Sequence, residues 1–93
     1  MKKRYLTNCR QIELEDHNEL LLEYYMVKEE KECGPVYGIE ITGYRGGECT
    51  REYTGAISED VGFVRRLLEK LYLGAVTPVT LAEQVDQLLE LYV

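Results

Sequence analysis

The side chains able to do chemistry are few and far apart. There is one histidine, His17, and there are three cysteines, Cys9, Cys33 and Cys49. A serine or cysteine nucleophile needs a base within hydrogen-bond reach. His17 is the sole imidazole, and it stands in Asp16-His17-Asn18, a polar cluster that reads as a solvated turn. Ser58 is better placed to cap a helix than to attack a substrate. The cysteines are odd in number and widely spaced, with no Cys-x-x-Cys pair, so they resemble neither a disulfide framework nor a zinc site. They read as reduced thiols acting as small hydrophobes.

Glu13, Glu15, Asp16, Glu19 and Glu23 are dense, but acid–base chemistry needs a buried carboxyl with a raised pKa. These residues alternate with apolar ones or sit in a turn, which places them in water. They also lack the ligand spacing of a calcium loop. The glycines between Gly43 and Gly47 lead into a strand rather than a helix and are followed by no Lys-Ser or Lys-Thr, so they make no phosphate cradle. The sequence therefore gives no catalytic residue, metal ligand or cofactor site.

Length and charge narrow the classes further. The 93 residues suit one domain, and 45% apolar content is too high for intrinsic disorder. A net charge of −6 disfavours nucleic acid, whose phosphates an acidic surface repels. Local basic groups remain at Lys2-Lys3-Arg4 and Arg65-Arg66. No apolar run follows Lys2–Arg4 as a secretory signal requires, and no segment approaches the roughly 20 apolar residues of a membrane span. The expectation is a cytoplasmic protein without membrane contact.

Turn signals divide the first two-thirds into four extended segments: Asp16-His17-Asn18, Gly34-Pro35 and Gly46-Gly47. The first segment, residues 5–15, puts Leu6, Ile12 and Leu14 on one parity. The second, residues 19–29, alternates Leu20, Leu22, Tyr24 and Met26 with Leu21, Tyr25 and Val27. Apolar residues on both faces suggest an inner strand, or one whose second face meets a partner; the helix formers of Leu20–Met26 make a helix the competing reading, and the aromatics and flanking turns favour the strand. The third, residues 36–44, alternates Tyr37, Ile39 and Ile41 with Gly38, Glu40 and Thr42. The fourth, residues 49–57, sets Tyr53 and Ile57 opposite Thr50, Glu52 and Thr54. Gly46-Gly47 can supply the positive φ angles of a tight hairpin.

Two helices follow. Ser58 is the expected N-cap, with Glu59 and Asp60 where the helix dipole favours acid. Val61, Val64, Leu67, Leu68 and Leu71 form an apolar stripe, and Gly74 ends it. The second helix opens near Thr77-Pro78, capped by Thr77 or by a Thr80–Glu83 capping box. Its stripe is Leu81, Val85, Leu88, Leu89 and Tyr92. The expected fold is α+β: a four-stranded antiparallel meander over residues 5–57, then helices over residues 58–73 and 78–92 packed on one face, in two layers.

Tyrosine is the unusual component, with eight Tyr, one Phe and no Trp. A tyrosine buries its ring while its hydroxyl stays wet, which suits sheet faces and protein interfaces alike. Leu21, Tyr24, Tyr25, Val27, Tyr37 and Tyr53 are the candidate interaction residues. Tyr24 and Tyr25 are adjacent, so in a strand they point to opposite faces.

Tyr37-Gly38-Ile39-Glu40-Ile41, the helix start at Ile57-Ser58, and Val76-Thr77-Pro78-Val79-Thr80-Leu81 together resemble a family of small uncharacterised proteins. That family comes from Gram-positive, clostridia-like bacteria and is known only as a domain of unknown function. The resemblance spans nearly the whole chain, implies a bacterial cytoplasmic setting, and brings no activity, cofactor or site residue with it. The functional expectation is a non-enzymatic protein-interaction or regulatory module, with a protein partner or a second copy as its target. The alternative is a small-ligand binder or enzyme with a pocket between sheet and helices, using Tyr37, Tyr53 or His17.

Overall fold

The computed structural model describes residues 2–91. Four strands come first: β1 (Lys2–Glu13), β2 (Glu19–Lys31), β3 (Gly34–Arg45) and β4 (Glu48–Ser58). They form one antiparallel sheet in the order β1-β2-β3-β4, the expected meander. Gly46 and Gly47 occupy the β3–β4 turn with φ of 54° and 85°. Two consecutive positive φ angles match the right-handed twist of the flanking strands, which is why glycine is needed twice there. The β2–β3 turn is Glu32-Cys33, two residues ahead of the Gly34-Pro35 break in the sequence, which instead opens β3.

β2 and β3 are the inner strands, and their alternation defines two unlike faces. Leu22, Tyr24 and Met26 lie beside Gly43, Ile41 and Ile39 in register, and all but Met26 and the glycine are fully buried. Helices α1 (Val61–Leu73) and α2 (Leu81–Glu90), joined through a 3₁₀ turn at Pro78–Thr80, pack on this face. Val64, Leu67, Leu68 and Leu71 of α1 and Leu81 and Val85 of α2 complete the core. The smallest dimension, 17 Å, suits one sheet and one helix layer.

Two strands depart from simple alternation. In β1 the register slips between Leu6 and Asn8, so Thr7 is an extra residue. Leu6 then pairs with Tyr25 on the face away from the helices, whereas Ile12 pairs with Leu20 and packs on the core. The shared parity of Leu6 and Ile12 thus does not put them on one face, because a bulge shifts the pleat by one residue. β4 slips twice, on either side of Gly38. Gly55 adopts φ 80° within that irregular stretch. Tyr53 consequently pairs with Glu40 on the open face, while Ile57 packs on the core.

The helix ends differ from expectation in their capping groups. Asp60, not Ser58, caps α1: its carboxylate accepts from the Phe63 N–H at 3.2 Å. Ser58 closes β4, and its hydroxyl accepts from the Asp60 N–H. Pro78 opens the 3₁₀ turn as its first residue, but neither Thr77 nor Thr80 makes a side-chain capping bond. Tyr92, counted in the second stripe, and the end of the expected helix at residue 92 lie outside the described residues. Gly74 is the C-cap of α1 with φ −84°, and the left-handed residue is the next one, Ala75, at φ 50°. A Cβ makes that conformation costly by about 1 kcal/mol. Ala75→Gly should therefore raise the urea midpoint by about that stability, with an unchanged slope.

Candidate interaction surface

The face away from the helices is covered by no element among the described residues. Leu6, Leu21, Tyr25, Val27, Tyr44 and Tyr53 share it, as the cross-strand register requires. Leu6 is 55% exposed and Tyr44 37%, while Val27 is nearly buried by its neighbours. A polar cluster runs through these apolar groups. Glu40 is 8% exposed and lies at its centre. Arg4 contacts its carboxylate as a charge partner without hydrogen-bond alignment, and Arg51 approaches to 3.9 Å. The Arg4 guanidinium also stacks 4.1 Å from the Tyr25 ring centre, and the Lys2 ammonium lies 4.9 Å from that of Tyr53. The Tyr25 hydroxyl donates to Glu23 at 2.8 Å. Long side chains thus lie flat over the sheet, their stems covering apolar surface.

This packing perturbs the phenols. Burial pushes the Tyr25, Tyr44 and Tyr53 hydroxyls above their usual range, and nearby carboxylates add to it: Glu23 at Tyr25 and Tyr44, Glu29 and Glu40 at Tyr53. Two hydroxyls on this face, Thr42 Oγ1 and Tyr53 Oη, are buried with no hydrogen-bond partner among the described residues. Each such group costs about 1–3 kcal/mol until something pairs with it.

The structure separates the six sequence-derived residues. Leu21, Tyr25, Val27 and Tyr53 lie together on the open face. Tyr24 does not: it is fully buried under the helices, where its hydroxyl donates to the Val76 carbonyl at 3.0 Å. Tyr37 is also on the helix side, lining a groove with Met26 and Val61. Arg4, Glu40 and Arg51, which bind the open-face cluster together, were absent from that set. For Glu40 and Arg51 the sequence signal is the alternation of polar residues in β3 and β4, which any solvated strand shows, and Arg4 stands in an N-terminal basic run that reads as solvated charge.

The residues considered for a ligand pocket do not converge either. Tyr37 and Tyr53 are on opposite faces, and the His17 side chain is 90% exposed in its turn. The three cysteines are exposed, not packed as small hydrophobes. Cys9 and Cys49 lie on the open face, and Cys33 is in the β2–β3 turn. Among the described residues no three His, Cys, Asp or Glu side chains gather as metal ligands, and no helix is long and apolar enough to cross a membrane.

The arrangement defines a class: a two-layer α+β domain whose antiparallel sheet carries helices on one face and an aromatic, charged surface on the other. The chain belongs to a family of unknown function, DUF6514, whose profile matches residues 3–91. No curated protein and no solved structure matches it significantly.

Proposed function

We propose that the protein is a small non-enzymatic interaction module of the bacterial cytoplasm, working through the open face of its sheet. One observation carries the reading: both helices pack on the same face, so that no helix or strand among the described residues covers Leu6, Tyr25, Tyr44 and Tyr53. The partly exposed tyrosines and flat-lying arginines are the residue types enriched where proteins meet. The face also has the size an interface needs. Four strands of about ten residues span roughly 20 by 35 Å, near the ~800 Å² each partner contributes to a standard complex. A second copy is one such partner, and a different protein is the other.

Light scattering on a sizing column at about 100 μM, together with capture from the native host, tests this. A dimer or a retained partner is expected for the wild type. The double variant Tyr25→Ser/Tyr44→Ser should lose that association at least tenfold. Equal association by both chains, or association by neither, would overturn the reading.

A further inference from the structure

Seven of the eleven Lys and Arg residues lie on two elements, β1 and α1, which hold only two Glu between them. The rest of the chain carries four basic residues against fifteen acidic ones. The basic residues of this acidic protein are therefore concentrated on β1 and α1. β1 is an edge strand: among the described residues it pairs with β2 alone, so its outer backbone edge is free for hydrogen bonding.

A groove runs between β1 and α1 in two adjoining parts. One holds about 490 Å³ and is lined by Asn8, Leu68, Glu69, Tyr72 and Leu73, the single carboxylate set against the Arg65 and Arg10 cations. The other holds about 460 Å³ and is lined by Tyr5, Met26, Lys28 and Tyr37. Thr7 and Arg65 line both. Arg65 is exposed and makes no hydrogen bond or ion pair among the described residues. Nearby, Arg10 lies over the Tyr72 ring at 4.8 Å. Leu73 is 65% exposed at the far end. The groove thus combines apolar walls, an unpaired cation and an open strand edge.

From this combination we infer that β1 accepts an acidic, extended peptide segment as a fifth strand. Its backbone pairs with the free edge, and its groove-facing side chains, apolar and acidic by turns, fill the β1–α1 groove and bring carboxylates to Arg65 and Arg10. Strand addition draws affinity from main-chain hydrogen bonds and specificity from pockets for alternate side chains. The Thr7 bulge and the exposed Lys3 of β1 discourage neutral or basic strands from pairing there. An acidic strand turns the same charge into attraction. A long polyanion fits less well, because the basic strip is short and the remaining surface is strongly acidic. The β1 edge and the open face are separate surfaces, so this site stands or falls independently of the open-face reading.

Fluorescence anisotropy tests it with a labelled ten-residue peptide in which every second residue, the groove-facing set, is Glu or Ile by turns and the others are Thr. Binding at tens of micromolar or tighter is expected, weakening as salt is raised. Arg65→Glu should weaken it at least tenfold while leaving the circular dichroism spectrum unchanged. Tyr25→Ser/Tyr44→Ser, on the open face, should leave it intact. Two further peptides, N-methylated at odd or at even residues, distinguish strand addition from simple charge attraction. One set should bind and the other should not, since a strand bonds to its neighbour through alternate residues. No binding, equal binding by both methylated peptides, or equal binding by a single-stranded oligonucleotide of the same charge would overturn the proposal. So would concentration-dependent protection of the β1 amides without peptide, which would assign the edge to a second copy.

Discussion

Gly38→Ala should destabilise the protein by about 3 kcal/mol, and Gly38→Val should prevent folding. Gly38 lies in the middle of β3, where β4 is forced off its regular register on both sides. A Cβ built there would sit 2.2 Å from the Gly55 carbonyl oxygen and 2.9 Å from a Tyr53 ring carbon. The first contact is with backbone, so a rotamer change cannot relieve it. Moving Gly55 means moving the bulge, and with it Tyr53, whose ring covers the open face beside Glu40. The Thr54 hydroxyl, which donates to the Gly55 carbonyl and accepts from the Ile39 N–H, would be displaced as well. Urea denaturation checks the stability. Near-ultraviolet circular dichroism checks the environment of the tyrosines, and its tyrosine signal should fall for Gly38→Ala even where the chain stays folded. A loss below about 0.5 kcal/mol would mean that β4 relaxes freely around Gly38.

That close approach marks the limit of what the sequence encodes locally. The β3–β4 hairpin was legible because two glycines in series have few other uses between alternating segments. The inner position of β2 was legible from apolar residues on both of its faces. The helices were legible from stripes that only a 3.6-residue period explains. Bulges leave no such mark. Thr7 is an ordinary strand residue, yet its insertion sends Leu6 to one face and Ile12 to the other. Tyr53 and Ile57 are separated in the same way around Gly55. The capping of α1 was ambiguous for a different reason. Ser58 and Asp60 are both good capping types, and the choice depends on where β4 ends, which is a tertiary matter. The basic groove was hidden as well, since Arg10 and Arg65 come to the two sides of Tyr72 and its groove only once β1 lies along α1.

Tyr24→Ala should cost about 4 kcal/mol, and Tyr24→Phe about 1 kcal/mol, a contrast that separates packing from the hydrogen bond. Tyr24 is the largest fully buried side chain of the core. Its ring meets Tyr72 edge-on, with centres 5.6 Å apart, and packs among Leu22, Ile41 and α1. Removing the ring leaves a cavity that rigid strands on either side cannot close. The hydroxyl reaches the Val76 carbonyl in the link between the two helices, so Phe loses one bond and leaves that carbonyl without it. Burial pushes the phenol up from 10.0 to about 12. The neutral form is the one the fold holds, so its stability is fully present below pH 10, where the unfolded phenol begins to ionise. It is lost progressively as pH rises from 10 towards 12. Tyr25, Tyr44 and Tyr53 are shifted in the same direction and add to the slope. The denaturation midpoint should therefore fall between pH 9 and pH 11, and Tyr24→Phe should reduce that fall without abolishing it. An identical fall in the variant would place the alkaline sensitivity wholly in the open-face tyrosines, and would leave Tyr24 a packing residue alone.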